Sequence, residues 1–264
     1  VFLREEQPCL YVYRQIREGR SQTGVVGCAA VDEYINKTIR IHELTRADKE
    51  EDRVRHVDTC NANTGPIFLA YRSRPRIDAI VEQAMQKAPL YDFTADGVQQ
   101  TVWRIDEEKL IAELEAEFAK TARLYIADGH HRCASAVRVG KKRREQHPGY
   151  QGDEEFNFFL GVFFPDEQLY IMPYNRVVKD LNGLSVPDLI GQIEEKFTVQ
   201  PFFGFGPCEP PQKHSFGMFV QGRWYLLTAR PRSFDPADPV GQRDVSILQN
   251  NLLAPLLGIR DPRT

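Results

Sequence analysis

Residues 124–132 constrain the fold of this chain more than any other stretch, because an apolar run ends at a glycine and charged, helix-forming residues follow at once. The run 124–128 predicts a β-strand, and the residues after the glycine predict a helix from about residue 130 to 146. The first turn of such a helix presents N–H groups without helical acceptors, at the positive end of the helix dipole. We therefore predict a phosphate or other anion site at this turn. Its candidate residues are Asp128, Gly129, His130, His131 and Arg132.

The same five residues also have an interpretation that needs no ligand. Asp128 is of a type that caps helices, and the two histidines would then only satisfy local hydrogen bonds. The sequence leaves both interpretations open.

Composition excludes several classes of protein. Five cysteines, odd in number and without a C-x-x-C pair, predict reduced thiols in a cytoplasmic protein and argue against a cysteine zinc site. A formal net charge of −3 gives no overall attraction to nucleic acid, which is not an expected partner. The longest apolar run, 158–164, is too short to cross a bilayer. The basic run 141–144 is interpreted mainly as a solvated helix end, with nucleic-acid contact as the second interpretation.

Two regions that differ in their predicted helices and strands indicate an α+β fold. Residues 1–148 combine strands and amphipathic helices, with helices expected at 48–60, 77–87 and from 106, and a polar connector at 32–35. Residues 149–264 are rich in aromatic strands and predict an additional, mainly antiparallel layer packed as one unit with the first region. The expected elements of this layer are strands at 156–164, 169–172, 216–220 and 224–228, a helix at 185–197 capped by Ser185, and a closing helix at 245–257. Both chain ends look internal to a longer protein, so further functional residues are expected outside this sequence.

His42 and Glu43 are candidate catalytic residues. They begin a zinc-protease helix motif, but Arg46 replaces its second histidine, so a metalloprotease is excluded. A glutamate can act as a general base toward a substrate hydroxyl, and a protonated histidine can bind phosphate. Composition alone favours a solvated, charged connector for this stretch. The nucleophile elbow of hydrolases and the P-loop of nucleotidases are both absent from the sequence.

Three further residues are candidate ligand contacts. Asn63 and Thr64 lie in a polar loop just before the apolar strand 67–71, although such a loop needs no ligand to explain it. Arg176 lies in the strand-like stretch 171–178 and could bind an anion with two hydrogen bonds. Pairing with a surface acid is the commoner state of an arginine.

Several motifs together resemble the bacterial "domain of unknown function 1015" family. The resemblance covers nearly the whole chain, and the family's biochemistry is not established. The matching stretches are residues 10–15, 42–45 with 49–53, 61–69, 125–132, 173–177 and 244–248.

The order of helix, strand, glycine turn and helix is also similar to the phosphate-binding core of the ParB and sulfiredoxin-like fold. That fold includes nucleotide-binding partition proteins and free-serine kinases that use ADP or pyrophosphate. The resemblance implies a mixed core of this type in residues 1–148.

These resemblances imply a kinase that acts on a small hydroxylated metabolite, with ADP, ATP or pyrophosphate and Mg²⁺. Gly129 would then allow close approach, the N–H groups of His130 and His131 would hold a phosphate, and Arg132 would stabilise the transferred group. Asp128 would cap the helix or hold Mg²⁺. Glu43 is the leading candidate for the base. A non-catalytic nucleotide-binding module of the ParB type and a structural protein remain the alternatives, and the oligomeric state is left open.

Overall fold

A computed structural model describes residues 5–42, 47–173 and 175–260 of the chain. The chain divides into two compact units, Val1–Met172 and Pro173–Thr264, each with its own hydrophobic core. Both contain helices and sheets, so the protein has an α+β fold with a second, antiparallel sheet. No helix in the described part of the chain is long and apolar enough to cross a membrane.

The first unit is built on a mixed sheet of eight strands. The elements of this unit in chain order are β1 (Leu10–Arg17), β2 (Arg20–Ala30), α1 (Val31–Ile35), β3 (Ile39–Arg40), α2 (Ala47–Cys60), β4 (Ile67–Tyr71), α3 (Pro75–Met85), β5 (Tyr91–Ala95), β6 (Val98–Ile105), α4 (Glu108–Ala119), β7 (Leu124–Asp128), α5 (His130–Gln146) and β8 (Phe158–Pro165). The order of the strands in the sheet is β3-β7-β4-β8-β2-β1-β6-β5.

Strand β7 and helix α5 have the bounds that the sequence predicts. Leu124 and Ile126 are buried and Tyr125 between them is exposed, which is the alternation of a strand with one face on the core. Burying each of these aliphatic side chains contributes roughly 1.5–3 kcal/mol to folding. Gly129 then breaks the strand, and α5 begins at His130.

The neighbours of β7 bring three loops to one end of the sheet. Strand β3 runs parallel to β7, with Ile39 opposite Leu124. Strand β4 runs antiparallel to it, with Leu69 opposite Ile126 and a register shift after Phe68. The residues that follow β3, precede β4 and follow β7 therefore meet beside the N-terminus of α5.

The basic end of α5 forms salt bridges with acidic residues of α1 and α2. Lys142 Nζ and Arg143 Nη2 lie 2.6 and 3.2 Å from the Asp58 carboxylate on α2. Arg144 Nη1 lies 2.6 Å from the Asp32 carboxylate on α1. The hydrogen bonds from Lys142 and Arg143 lower the pKa of Asp58, and the bond from Lys142 has the larger effect. The hydrogen bond from Arg144 lowers the pKa of Asp32. The basic run holds α1 and α2 against α5.

The second unit has a three-stranded antiparallel sheet and two short helices. Its core contains Leu189, Phe197, Leu227 and Ile247. Its elements are α6 (Val186–Ile193), β9 (Phe197–Phe202), β10 (Ser215–Val220), β11 (Arg223–Ala229) and α7 (Asp244–Leu248), which continues into a π-helical turn at Gln249–Leu253, and the sheet order is β10-β11-β9.

Four local expectations are corrected by the structure. The connector at 32–35 is part of α1, residues 169–172 form no strand, the helix expected to 197 ends at Ile193, and the closing helix breaks up after α7. The division between the units also lies downstream of the expected 148/149 boundary, since β8 pairs with β2 and with β4 in the first sheet. An apolar run predicts a strand but does not identify the strands beside it.

Candidate functional site

The N-terminus of α5 has no side-chain cap. Its N-cap residue is Gly129, with φ +93° and ψ 28°, a left-handed conformation that glycine adopts without strain. Asp128 is therefore not the cap, which is one of the roles that the sequence suggested for it. The first N–H groups of an α-helix have no acceptor within the helix, which is why helix N-termini commonly bind anions.

Arg132 lies in a slot between two glycines. A Cβ on Gly129 would come within 3.1 Å of Arg132 Nη2, and a Cβ on Gly65 would come within 3.1 Å of Nη1. Arg132 Nη2 also donates a 2.8 Å hydrogen bond to the Asp128 carboxylate. The backbone at both glycines and this ion pair hold the guanidinium at the helix N-terminus, where its side chain is 39% exposed.

Two histidines pack against each other at the same place. The His130 side chain is buried, with 6% of its surface exposed, and its ring centroid lies 4.5 Å from that of the exposed His42 in an edge-on arrangement. His131 Nδ1 is buried and has no hydrogen-bond partner among the described residues. The structure thus places His42, predicted from a separate motif, beside the glycine turn.

The cysteine that follows the motif is not available as a nucleophile. Cys133 is fully buried beneath the first turn of α5. Burial raises the pKa of its thiol to about 12, so the thiol stays protonated at neutral pH.

A cleft of about 260 Å³ lies along α5, beyond the first turn. Its walls are the end of α2 with the loop that follows it, the middle of α5, and the chain entering β8. The lining residues are Val57, Asn61, Ala62, Asn63, Ala136, Val139, Arg143, Glu155, Phe156 and Phe158.

Comparison with known proteins assigns the chain to a family. A family model described as "Protein of unknown function (DUF1015)" matches residues 1–247. The chain belongs to the DUF1015 family. No curated protein and no solved structure matches it. The resemblance seen in the sequence motifs is thereby confirmed.

The other predicted site residues of this DUF1015 protein lie in different places. Glu43 falls outside the described residues. Asn63 and Thr64 both lie in the loop between α2 and β4. Asn63 lines the cleft, and Thr64 Oγ1 lies 3.1 Å from His56 Nε2 on α2. Arg176 belongs to the second unit, where its side chain is exposed and the surrounding described residues form no strand.

The residues present supply few ligands for a metal ion. No group of three or more His, Cys, Asp or Glu side chains within the described residues could hold one. The exposed Asp128 carboxylate, already paired with Arg132, is the one predicted metal ligand. A Mg²⁺ ion bound to this carboxylate would need phosphate oxygens and water to fill its remaining positions.

The sequence did not reveal Gly65, His56 or the cleft. Gly65 reads as an ordinary turn residue, and its role depends on contact with Arg132, which is distant in the chain. Phe156 and Phe158 read as strand residues. No local signal shows that they form a wall opposite α5.

Proposed function

We propose that this DUF1015 protein binds the phosphate groups of a small molecule at the N-terminus of α5 and acts as a small-molecule kinase. The observation that carries the proposal is the uncapped first turn of α5 beside an arginine that two glycines hold in place. Backbone N–H groups and a fixed guanidinium together match the oxygens of a phosphate.

The charges at this turn support an anionic ligand. The positive end of the helix dipole favours acids, yet the first turn of α5 carries no acid and contains two histidines and an arginine. Asp128 pairs with only part of the Arg132 guanidinium. A phosphate would offset this unfavourable arrangement, and a purely structural turn would have no need of it.

Phosphoryl transfer assigns a role to each group. The N–H groups of His130 and His131 would hold the β-phosphate, and Arg132 would stabilise the charge on the transferred group. ADP, ATP or pyrophosphate would be the donor, and Mg²⁺ would neutralise the phosphates when bound. A ParB/sulfiredoxin-like core is the finer fold proposed for the first unit, supported by its strand, glycine turn and helix.

Glu43 is the proposed base that accepts the proton of a substrate hydroxyl. Its neighbour in the sequence, His42, lies against His130. A base must lie within about 3 Å of the proton it removes, or one water away from it. The position of His42 therefore supports a carboxylate from this segment as the base.

Calorimetry and a turnover screen test the proposal. Wild-type protein should bind pyrophosphate in the presence of Mg²⁺, and it should phosphorylate at least one compound in a screen of amino acids and sugars with ADP, ATP or pyrophosphate. Glu43→Gln should lower turnover and leave pyrophosphate affinity unchanged, and Glu115→Gln on the exposed face of α4 is the matched control. Absence of binding contradicts the phosphate site. Binding without turnover favours the non-catalytic module of the ParB type.

A further inference from the structure

The cleft beside α5 and the Arg132 slot are both lined by the same face of α5. Ala136, Val139 and Arg143 line the cleft, and with Arg132 they occupy positions i, i+4, i+7 and i+11 of α5. Residues at this spacing lie on one face of an α-helix. Arg132 is one turn before Ala136, which is about 6 Å along the helix axis.

The cleft and the Arg132 slot also share the loop between α2 and β4 as their second wall. Asn61, Ala62 and Asn63 line the cleft, and a Cβ on Gly65, two residues further along the same loop, would lie 3.1 Å from Arg132 Nη1. The cleft therefore continues from the slot between the same loop and the same helix face. A ligand whose phosphate lies at Arg132 would place its next chemical group at the mouth of the cleft.

The lining of the cleft favours a flat, uncharged ring over a further phosphate. Ala136 and Val139 form a buried apolar floor. Phe156 and Phe158 supply aromatic surface, and the Phe156 ring also packs against His147 and Tyr150. The Arg143 guanidinium is already bonded to Asp58 and to Asn61, so it is a fixed part of the wall. The exposed Glu155 carboxylate would repel a phosphate and accept hydrogen bonds from an amino group.

Asn63 supplies the polar contact that such a ring requires. No described residue hydrogen-bonds to its side chain. Its amide can both donate and accept, which matches the edge of a nucleobase. A cleft of about 260 Å³ is slightly smaller than the roughly 300–1,000 Å³ typical of sites that enclose whole ligands, so it fits one part of a larger molecule.

We propose that this cleft binds the base of a nucleoside diphosphate or triphosphate whose phosphates occupy the N-terminus of α5. The inference rests on the proposed phosphate site and selects a nucleotide over pyrophosphate as its natural ligand. Arg132 and the first turn of α5 would hold the phosphates, Phe156 and Phe158 would contact the faces or edge of the base, and Asn63 would recognise its edge.

Calorimetric titrations with pyrophosphate, ADP and adenosine, each with Mg²⁺, test the inference. Wild-type protein should bind ADP at least about tenfold more tightly than pyrophosphate, the increment of one stacked base. Ala136→Leu, which fills the floor of the cleft, should remove this difference and keep pyrophosphate affinity within about twofold of wild type, a change that is small against the scatter of such measurements. Ala84→Leu in the core beneath α3 is the matched overpacking control and should keep the preference for ADP.

A second variant keeps the test decisive if Ala136→Leu does not fold. Asn63→Ala changes a half-buried loop residue and should weaken ADP binding without affecting pyrophosphate. If ADP binds no more tightly than pyrophosphate, or if both cleft variants keep the preference, the base-binding cleft is wrong and the phosphate site stands. If neither ligand binds to wild type, both proposals are wrong.

Discussion

Helices α5 and α6 begin in opposite ways. Helix α6 has Ser185 as its N-cap, whose hydroxyl accepts from the Asp188 N–H, a proline in its first turn and Asp188 at the positive end of its dipole. Helix α5 begins after a left-handed glycine without a side-chain cap, and its first turn contains His130, His131 and Arg132.

The comparison distinguishes a helix N-terminus that stabilises the fold from one that suits a ligand. Each feature of the α6 terminus is one that stabilises a helix. The α5 terminus lacks all of them, although α5 is the longer helix and packs against the core of the first unit. Places where a protein departs from such local rules are commonly functional sites, which agrees with an anion at the start of α5.

The largest expected effect is on ligand binding at the α5 terminus. Arg132→Ala should weaken pyrophosphate binding by roughly 1.5–3 kcal/mol, because a hydrogen bond to a charged group is lost. Calorimetry measures the change. Arg76→Ala is the matched control, since Arg76 also pairs with an acid but lies on α3. Equal affinities of the Arg132→Ala variant and wild type would contradict the site.

Gly129→Ala should destabilise the protein by about 1–2 kcal/mol, because an alanine adopts the left-handed conformation only with strain. It should also displace the Arg132 guanidinium and weaken pyrophosphate binding. Urea denaturation and calorimetry measure the two effects. In Gly65→Ala the new Cβ would meet the same guanidinium, but Gly65 does not have a positive φ. This variant should therefore weaken pyrophosphate binding with a smaller loss of stability. Equal stability losses in the two variants would argue against conformational strain at Gly129.

Ser185→Ala should lower the free energy of unfolding by about 1 kcal/mol, because the cap of α6 is lost. Pyrophosphate affinity should not change, since this cap belongs to a terminus built for stability. Urea denaturation gives the first result and calorimetry the second. A loss of affinity would remove the distinction between the two helix starts.

The other end of α5 gives the smallest effect, on pH dependence. The Arg144 hydrogen bond lowers the pKa of Asp32, so this pair stabilises the fold above the unfolded pKa of about 3.9, and the contribution is lost as the pH falls through the lower, folded pKa. Because Asp32 is largely exposed, Asp32→Asn should cost at most about 1 kcal/mol at pH 7. The stability difference from wild type, measured by urea denaturation at several pH values, should shrink below about pH 4. A constant difference would contradict this origin.

Local chemistry explains which features the sequence could predict. The strand 124–128, the helix 130–146 and the Ser185 cap depend on neighbouring residues, and the structure confirms all three. The pairing of β8 with the first sheet and the contact of Gly65 with Arg132 depend on residues far apart in the chain. The basic run 141–144 is a similar case, because its acidic partners Asp32 and Asp58 lie on other helices.

The pairing of β7 with both β3 and β4 has a consequence for folding. These contacts join chain segments that are distant in sequence, so the loop-closure entropy must be offset before the His42, Gly65 and Gly129 regions can meet. The proposed anion site would not exist in a chain that has formed α5 alone. Anion affinity would therefore report the completion of folding, and a bound anion would slow the opening that exposes the β7 amides to hydrogen exchange.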